Sequence, residues 1–223
     1  FISTINHELR TPLTSILGTL GLLHGGAVGQ LPSEAERMVL LAKRNGEHLL
    51  KLISDLLDID KIVAGSMQLD LQEMALDQVL TVALQDLDGV LSQRELSIKY
   101  NNPFADARVL IDPTRFKQVL DNLLSNAIKF SPTGGVIALR VSCVSGGKRW
   151  RIEVCDQGEG IPLAFQDKVF ERFTQADGSS QRKAGGTGLG LAITRGLVQQ
   201  MDGEIGFTTS DAGTCFYVLL PAL

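Results

Sequence analysis

From Ile2 to Val63 apolar side chains return every three or four positions; from about residue 67 they come in short alternating runs instead. The first pattern is helical and the second is that of strands and helices interleaved. Ile2, Ile5, Leu9, Leu13, Ile16, Leu17, Leu20 and Leu23 form one stripe. Gly25, Gly26, Gly29 and Pro32 interrupt it, and Ser33 with Glu36 predicts a capping box for a second helix. That helix carries Met38, Leu41, Ala42, Asn45, Leu49, Leu52, Ile53, Leu56, Ile59 and Val63. A lone two-helix hairpin has too little partner surface to cover both stripes, so the pattern predicts a dimer that closes into a four-helix bundle. Pro12 falls inside the first helix, removes one backbone donor and should bend it.

Beyond residue 67 the spacing predicts strands at Met67–Glu73, Leu96–Tyr100, Arg108–Ile111, Val136–Val144, Arg149–Cys155, Glu204–Thr208 and Thr214–Leu220. Helices are expected near Leu76–Leu91, Pro113–Phe130 and Leu189–Met201, the second capped by Asp112 with proline at its first position. Ser145-Gly146-Gly147-Lys148 reads as a hairpin turn, so the sheet should be mixed and mostly antiparallel, with helices on one face. The polar stretch Thr174–Gly186 reads as a loop.

A chain of 223 residues holds one large domain or two small ones, and 44% hydrophobic against 21% charged residues excludes wholesale disorder. A net charge of −4 argues against a general nucleic-acid or anionic-membrane binder. No run approaches the roughly 20 apolar residues of a membrane span. Cys143, Cys155 and Cys215 are too scattered for a disulfide framework or a zinc site, and each lies in a strand-like run, so reduced core thiols are expected. The chain opens on Phe1 without an initiator Met, which reads as a piece of a longer parent in which a membrane anchor has room.

Four groups of residues carry chemistry. His7 points away from the apolar stripe of its helix, with Glu8 beside it and Thr11 on its side. Imidazole is a nucleophile when one nitrogen is neutral and a carboxylate holds the proton on the other, although a solvated histidine fits the same spacing. Asn122, Asn126 and Lys129 share a helix face that suits a magnesium-bound polyphosphate, carbonyl oxygen for the metal and ammonium for the phosphate, although a polar helix face in water fits the same spacing. Asp156 at a strand end, followed by Gly158 and Gly160, can accept a bond from an exocyclic amine such as that of adenine. Gly186, Gly188 and Gly190 open an apolar helix, where backbone amides and the helix dipole favour an anion. A turn and a lid hinge are the plainer readings of the last two. Their occurrence together in one domain favours a nucleotide.

These residues resemble the catalytic core of bacterial sensor histidine kinases over essentially the whole chain. Phe1–Leu13 looks like their H-box, Asp121–Ser131 like the N-box and Asp156–Gly160 like the first glycine box. Phe170–Phe173 resembles the F-box, Gly186–Leu191 the second glycine box and Gly213–Phe216 a closing G-T-x-F motif. The resemblance implies an all-α helical hairpin at 1–64, a four-helix bundle as a dimer, serving dimerisation and histidine phosphotransfer. A hinge at 65–71 would lead to an α/β sandwich ATP-binding domain of Bergerat type with a mixed sheet at 72–223. By that likeness His7 is the phosphoacceptor, Glu8 its base or orienting carboxylate, and Thr11 places water for dephosphorylating a partner. Asn126, supported by Asn122, would hold Mg²⁺, Lys129 would contact phosphate and Asp156 would recognise the adenine of ATP. Gly158, Gly160 and Ile161 would shape its pocket, and Gly186, Thr187, Gly188, Leu189 and Gly190 would border the phosphates. Phe130 and Thr214 complete the site, with Thr174–Gly186 as a lid anchored by Phe170 and Phe173 and bearing Arg182 and Lys183.

The implied activity is ATP-dependent autophosphorylation of His7 and transfer to a receiver-domain aspartate in two-component signalling, with phosphatase activity as a second direction. Implied partners are a second copy and a response-regulator receiver domain in cis or in trans; Arg172–Asp177 resembles the hybrid kinases, in which a receiver follows. The implied compartment is the cytoplasm. One rival is a catalytically silent dimerising module that regulates another kinase. Another is an ATPase of the related chaperone and topoisomerase type, which needs a carboxylate where Asn122 stands.

Overall fold

The computed structural model describes the backbone of residues 2–174 and 187–223, and the side chains of residues 8–174 and 187–223. The chain divides into two compact units, Phe1–Ser66 and Met67–Leu223.

The first unit is a hairpin of α1 (Ile2–His24) and α2 (Ser33–Val63). α1 runs through Pro12 without interruption. Leu13 is buried, and Gly46 of α2 lies so close to Leu17 that a Cβ there would stand 2.7 Å from the leucine methyl. Glycine lets the two helices approach at that level. At the hairpin end, His24 Nδ1 lies 3.7 Å from Glu36 Oε1. The expected capping box does not form. The Pro32 carbonyl accepts from the Glu36 N–H at 3.0 Å, so Pro32 is the N-cap and Ser33 is already helical, without a side-chain cap. Leu9, Ile16, Met38, Leu41, Leu49, Leu56 and Val63 remain exposed, leaving much of both apolar stripes uncovered.

The second unit contains β1 (Gln72–Ala75), α3 (Leu76–Gln85), α4 (Asp88–Gln93), β2 (Ser97–Asn101), β3 (Arg108–Ile111) and α5 (Pro113–Phe130). β4 (Val136–Val144) and β5 (Arg149–Cys155) follow, joined by a short 3₁₀ turn, then α6 (Leu163–Gln166), α7 (Gly190–Gln200), β6 (Glu204–Ser210) and β7 (Gly213–Pro221). Five strands pair in the order β2-β4-β5-β7-β6, parallel at β2–β4 and antiparallel elsewhere, and β1 and β3 form a separate antiparallel pair. Burial alternates along β4 and β7, as in a sheet covered on one side. Ile137, Leu139, Ile152, Val154, Val218 and Leu220 form its inner face, and Phe116, Leu120, Leu123, Leu124, Ile193 and Leu197 of α5 and α7 are buried with them. Among the described residues no helix is long and apolar enough to cross a membrane.

Three further expectations change in the second unit. The run Met67–Glu73 yields a strand only from Gln72, because its partner β3 offers four residues, registered on Gln72–Ala75. The helix expected at Leu76–Leu91 divides into α3 and α4 where the Leu87 N–H bonds the Leu84 carbonyl at 3.1 Å. The cysteines are not three reduced core thiols. Cys155 and Cys215 stand directly opposite on β5 and β7, their Cα atoms 4.0 Å apart, and are joined by a disulfide, while Cys143 is exposed on β4. The pairing follows from strand order, which a separation of 60 residues conceals in the sequence.

Candidate functional site

α5 is fixed at its start by Asp112, whose Oδ1 accepts the N–H groups of Thr114 and Arg115, both at 3.0 Å. This cap sets the rotation of the helix and hence of its polar residues. Asn122 is buried, and its Nδ2 donates to the Gly190 carbonyl at 3.2 Å and to Thr194 Oγ1 at 3.3 Å. Thr194, fully buried, donates to the same carbonyl at 2.8 Å. Asn122 thus ties α5 to the first turn of α7. Asn126, one turn on, and Lys129 are half-buried. Burial pushes the Lys129 ammonium below its ordinary pKa, and its Nζ lies 4.9 Å from the centre of the Phe130 ring. Such a desolvated cation gains from any anion brought to it. Asp121, the sole carboxylate of α5, is held by Lys117 Nζ at 3.0 Å, which also bridges to Asp86 at 3.1 Å.

The second part of the site grows from the ends of β5 and β7. The Asp156 N–H donates to the Thr214 carbonyl at 2.8 Å, extending the ladder by one row. Asp156 Oδ1 accepts the N–H of Gly158 at 2.8 Å and that of Thr214 at 3.2 Å. Burial pushes the carboxyl pKa up, and these two amides act against that rise without cancelling it. Thr214 is buried; its hydroxyl lies 3.0 Å from that of Thr209, which accepts the Ile161 N–H at 2.8 Å. Gly158 sits under the Phe130 carbonyl, where a Cβ would come within 2.6 Å. Gly160, at φ +75°, would drive a Cβ to 2.1 Å from the Ser210 carbonyl. The glycines therefore admit the neighbouring backbone and bring the Asp156 turn against α5.

The third part is a pinch. The Phe173 N–H donates to the Gly188 carbonyl at 2.9 Å, with Phe173 at φ +58° and Gly188 at φ +69°. Thr187 Oγ1 accepts the Leu189 N–H at 3.0 Å, and Leu189 is buried at the head of α7. Phe173 is held through its backbone, its ring being exposed, whereas Phe170 packs with Phe207 and Phe216 at 6.1 and 6.3 Å. Gly186, Arg182, Lys183 and all but Thr174 of the expected lid lie outside the described residues. In the first unit, Glu8 and Thr11 are exposed on α1. His7 lies on the same helix, its side chain outside the described ones.

The structure thus gathers Asn122, Lys129, Phe130, Asp156, Gly158, Gly160, Ile161, Thr214, Gly188 and Gly190 into one unit, linked through the contacts above. His7, Glu8 and Thr11 belong to the other unit. Two supporting residues were not read from the sequence: Thr194, a polar position on the buried face of α7, and Thr209, whose partners appear only once β6 and β7 are in register.

Comparison with known proteins joins the two units. Residues 1–65 match the His Kinase A (phospho-acceptor) domain, and residues 111–223 match the histidine kinase-, DNA gyrase B- and HSP90-like ATPase domain. The chain belongs to the sensor histidine kinases. Among curated relatives of this kinase core, the circadian input-output histidine kinase CikA of Synechococcus elongatus is 39% identical over 226 residues, covering 99% of this chain and 29% of the relative. Sensor protein EvgS of Escherichia coli O157:H7 is 33% identical over 99% of this chain and 18% of its own length. The kinase core therefore spans less than a third of these relatives. The full-length structure of ShkA in complex with AMPPNP superposes with a TM-score of 0.81 at 30% identity, covering 99% of this chain and 45% of that one.

Proposed function

We propose that this chain transfers the γ-phosphoryl group of ATP to His7 and passes it on to an aspartate of a receiver domain. In this reading Asp156 recognises the exocyclic amine of adenine, held on the Gly158 and Thr214 amides. Phe130 and Ile161 border the base, Thr214 holds the carboxylate in place, and Lys129 lies toward the phosphates with Thr187, Gly188, Leu189 and Gly190. The AMPPNP held by ShkA supports the nucleotide assignment. Among the described residues no group of three or more His, Cys, Asp or Glu side chains would cage a metal. Magnesium fits the remaining donors: Asn126 offers a carboxamide oxygen, backed by Asn122, and the phosphates supply the rest. Bound there, it would offset the charge on the phosphates.

In the transfer, a neutral His7 nitrogen attacks the γ-phosphorus in line, a P–N bond forms, and the P–O bond to ADP breaks. Glu8 holds the proton on the other nitrogen, so the imidazole enters as a nucleophile of fixed tautomer. In the phosphatase direction Thr11 positions the water that attacks the phosphorus of the receiver's aspartyl phosphate, breaking its P–O bond to release phosphate and the free carboxylate. Residues 65–71, which span the boundary of the two units, serve as the hinge that lets one unit present ATP to the other. The uncovered apolar stripes of α1 and α2 support a homodimer. The cytoplasm is where the reaction would run, any membrane anchor belonging to a longer protein.

The observation that carries transfer to histidine, rather than hydrolysis, is the state of α5. Its only carboxylate, Asp121, is bound by Lys117, and Asn122 is committed to α7, so this helix presents no base to activate water. The test is incubation with γ-labelled Mg²⁺-ATP. Wild type should acquire label that is stable in alkali and lost in acid, and His7→Gln and Asn126→Ala should acquire none. ATP turnover that survives His7→Gln would show hydrolysis instead. ATP binding without label on the wild type would indicate the silent regulatory module.

A further inference from the structure

The disulfide lies one residue from the base-recognition carboxylate on both strands. Cys155 precedes Asp156 and Cys215 follows Thr214; in that next row the Asp156 N–H donates to the Thr214 carbonyl and the Thr214 N–H donates to the Asp156 side-chain Oδ1. Arg140 of β4 reaches the same place, its guanidinium 3.1 Å from Cys155 Sγ and 3.9 Å from Cys215 Sγ. Its Nε is 3.6 Å from Glu153, which leaves the group cationic but partly compensated. We propose that Cys155 and Cys215 form a thiol–disulfide modification site that sets the affinity of the nucleotide site. This rests on the nucleotide reading above.

The chemistry follows from the two environments. Cys155 is buried and Cys215 is half-exposed, so an incoming thiolate meets the Cys215 sulfur first. Its attack forms a mixed disulfide on Cys215 and breaks the bond to Cys155, which leaves as a thiolate beside the Arg140 cation. A second thiol then displaces Cys215 as a thiol. Two electrons have passed to the cysteines, and the low-molecular-weight thiol has become its own disulfide; an oxidised disulfide of the same class runs the steps backward. Once cut, the two sulfurs face each other across a directly opposed pair and must separate to van der Waals contact. The next row contains the Asp156–Thr214 bonds, so the carboxylate loses part of its preorganisation. The disulfide form is the tight binder.

The test uses the whole 223-residue chain, equilibrated with oxidised glutathione or with dithiothreitol, and titrated calorimetrically with Mg²⁺-ATP. At most one free thiol, Cys143, which oxidised glutathione itself can cap, is expected in the first sample and three in the second. Reduction should weaken ATP binding at least about five-fold, the low end of measured coupling between sites. By reciprocity, saturating ATP should make the pair harder to reduce by the same factor, about 20 mV for a two-electron couple. Cys143→Ser should keep the response; Cys155→Ser and Cys215→Ser should bind ATP alike with and without reductant. Equal affinities in the two forms, with the thiol counts verified, overturn the proposal and leave the nucleotide site standing. Three free thiols after oxidation also overturn it. Failure of both forms to bind ATP overturns the nucleotide reading itself, and this inference with it.

Discussion

Asp156 is a carboxylate kept where burial disfavours its charge, and the sign of that cost can be measured. Because its folded pKa is raised, the ionised form destabilises the fold at neutral pH. The penalty is relieved as pH falls through the raised value toward the ordinary 3.8. Asp156→Asn should therefore melt no lower than wild type at pH 7, since the amide oxygen still accepts the Gly158 or Thr214 N–H. ATP affinity should fall roughly ten- to hundredfold, the worth of a hydrogen bond to a charged group. Calorimetry and thermal melts on one sample separate the two effects. Wild-type affinity should likewise decline as the solution is acidified through that raised pKa. Glycines permit a second contrast at this scale. Gly160→Ala would need a left-handed alanine and a Cβ 2.1 Å from a carbonyl oxygen, whereas Gly146, at φ +66°, has nothing within 4 Å. Denaturant titration should show a loss of about 1 kcal/mol for Gly146→Ala and markedly more for Gly160→Ala.

α5 carries more of the site than any other element, and its start is a local matter. Asp112 caps two helical amides with one oxygen and accepts the Asp70 N–H at 3.1 Å with the other. Asp112→Ala should remove about 1–2 kcal/mol of stability, read from the denaturation midpoint. Features of this kind were legible in the sequence: the Asp-Pro start, the bounds of α5, and β3, β4 and β5 all fall where alternation and caps put them. What was not legible depended on partners distant in the chain. β1 is short because β3 is short, the helix after it divides without a strong breaker, and the Cys155–Cys215 pair exists only once β5 and β7 are neighbours. In the site, the residue types of the motifs were readable, but the commitment of Asn122 to Gly190 and Thr194 was not, because α7 enters from elsewhere in the sequence.

At the scale of the molecule, the proposed roles fall on two units: one bears His7, Glu8 and Thr11, the other the residues proposed for the nucleotide. The exposed leucines and isoleucine of α1 and α2 would be unusual on a monomer. Ile16→Glu should weaken self-association at least about tenfold by sedimentation, as expected when an exposed aliphatic side chain that the proposed dimer would cover becomes a charge. The Cys155–Cys215 bridge lies wholly in the second unit, so its effect on ATP binding should survive that substitution. The measurement that bears most directly on the whole account is the site of phosphorylation after exposure to Mg²⁺-ATP, mapped by mass spectrometry of peptides kept at alkaline pH. The account predicts a phosphoryl group on His7. A phosphoryl group on any other residue, or ATP consumed with no phosphoprotein formed, would contradict it.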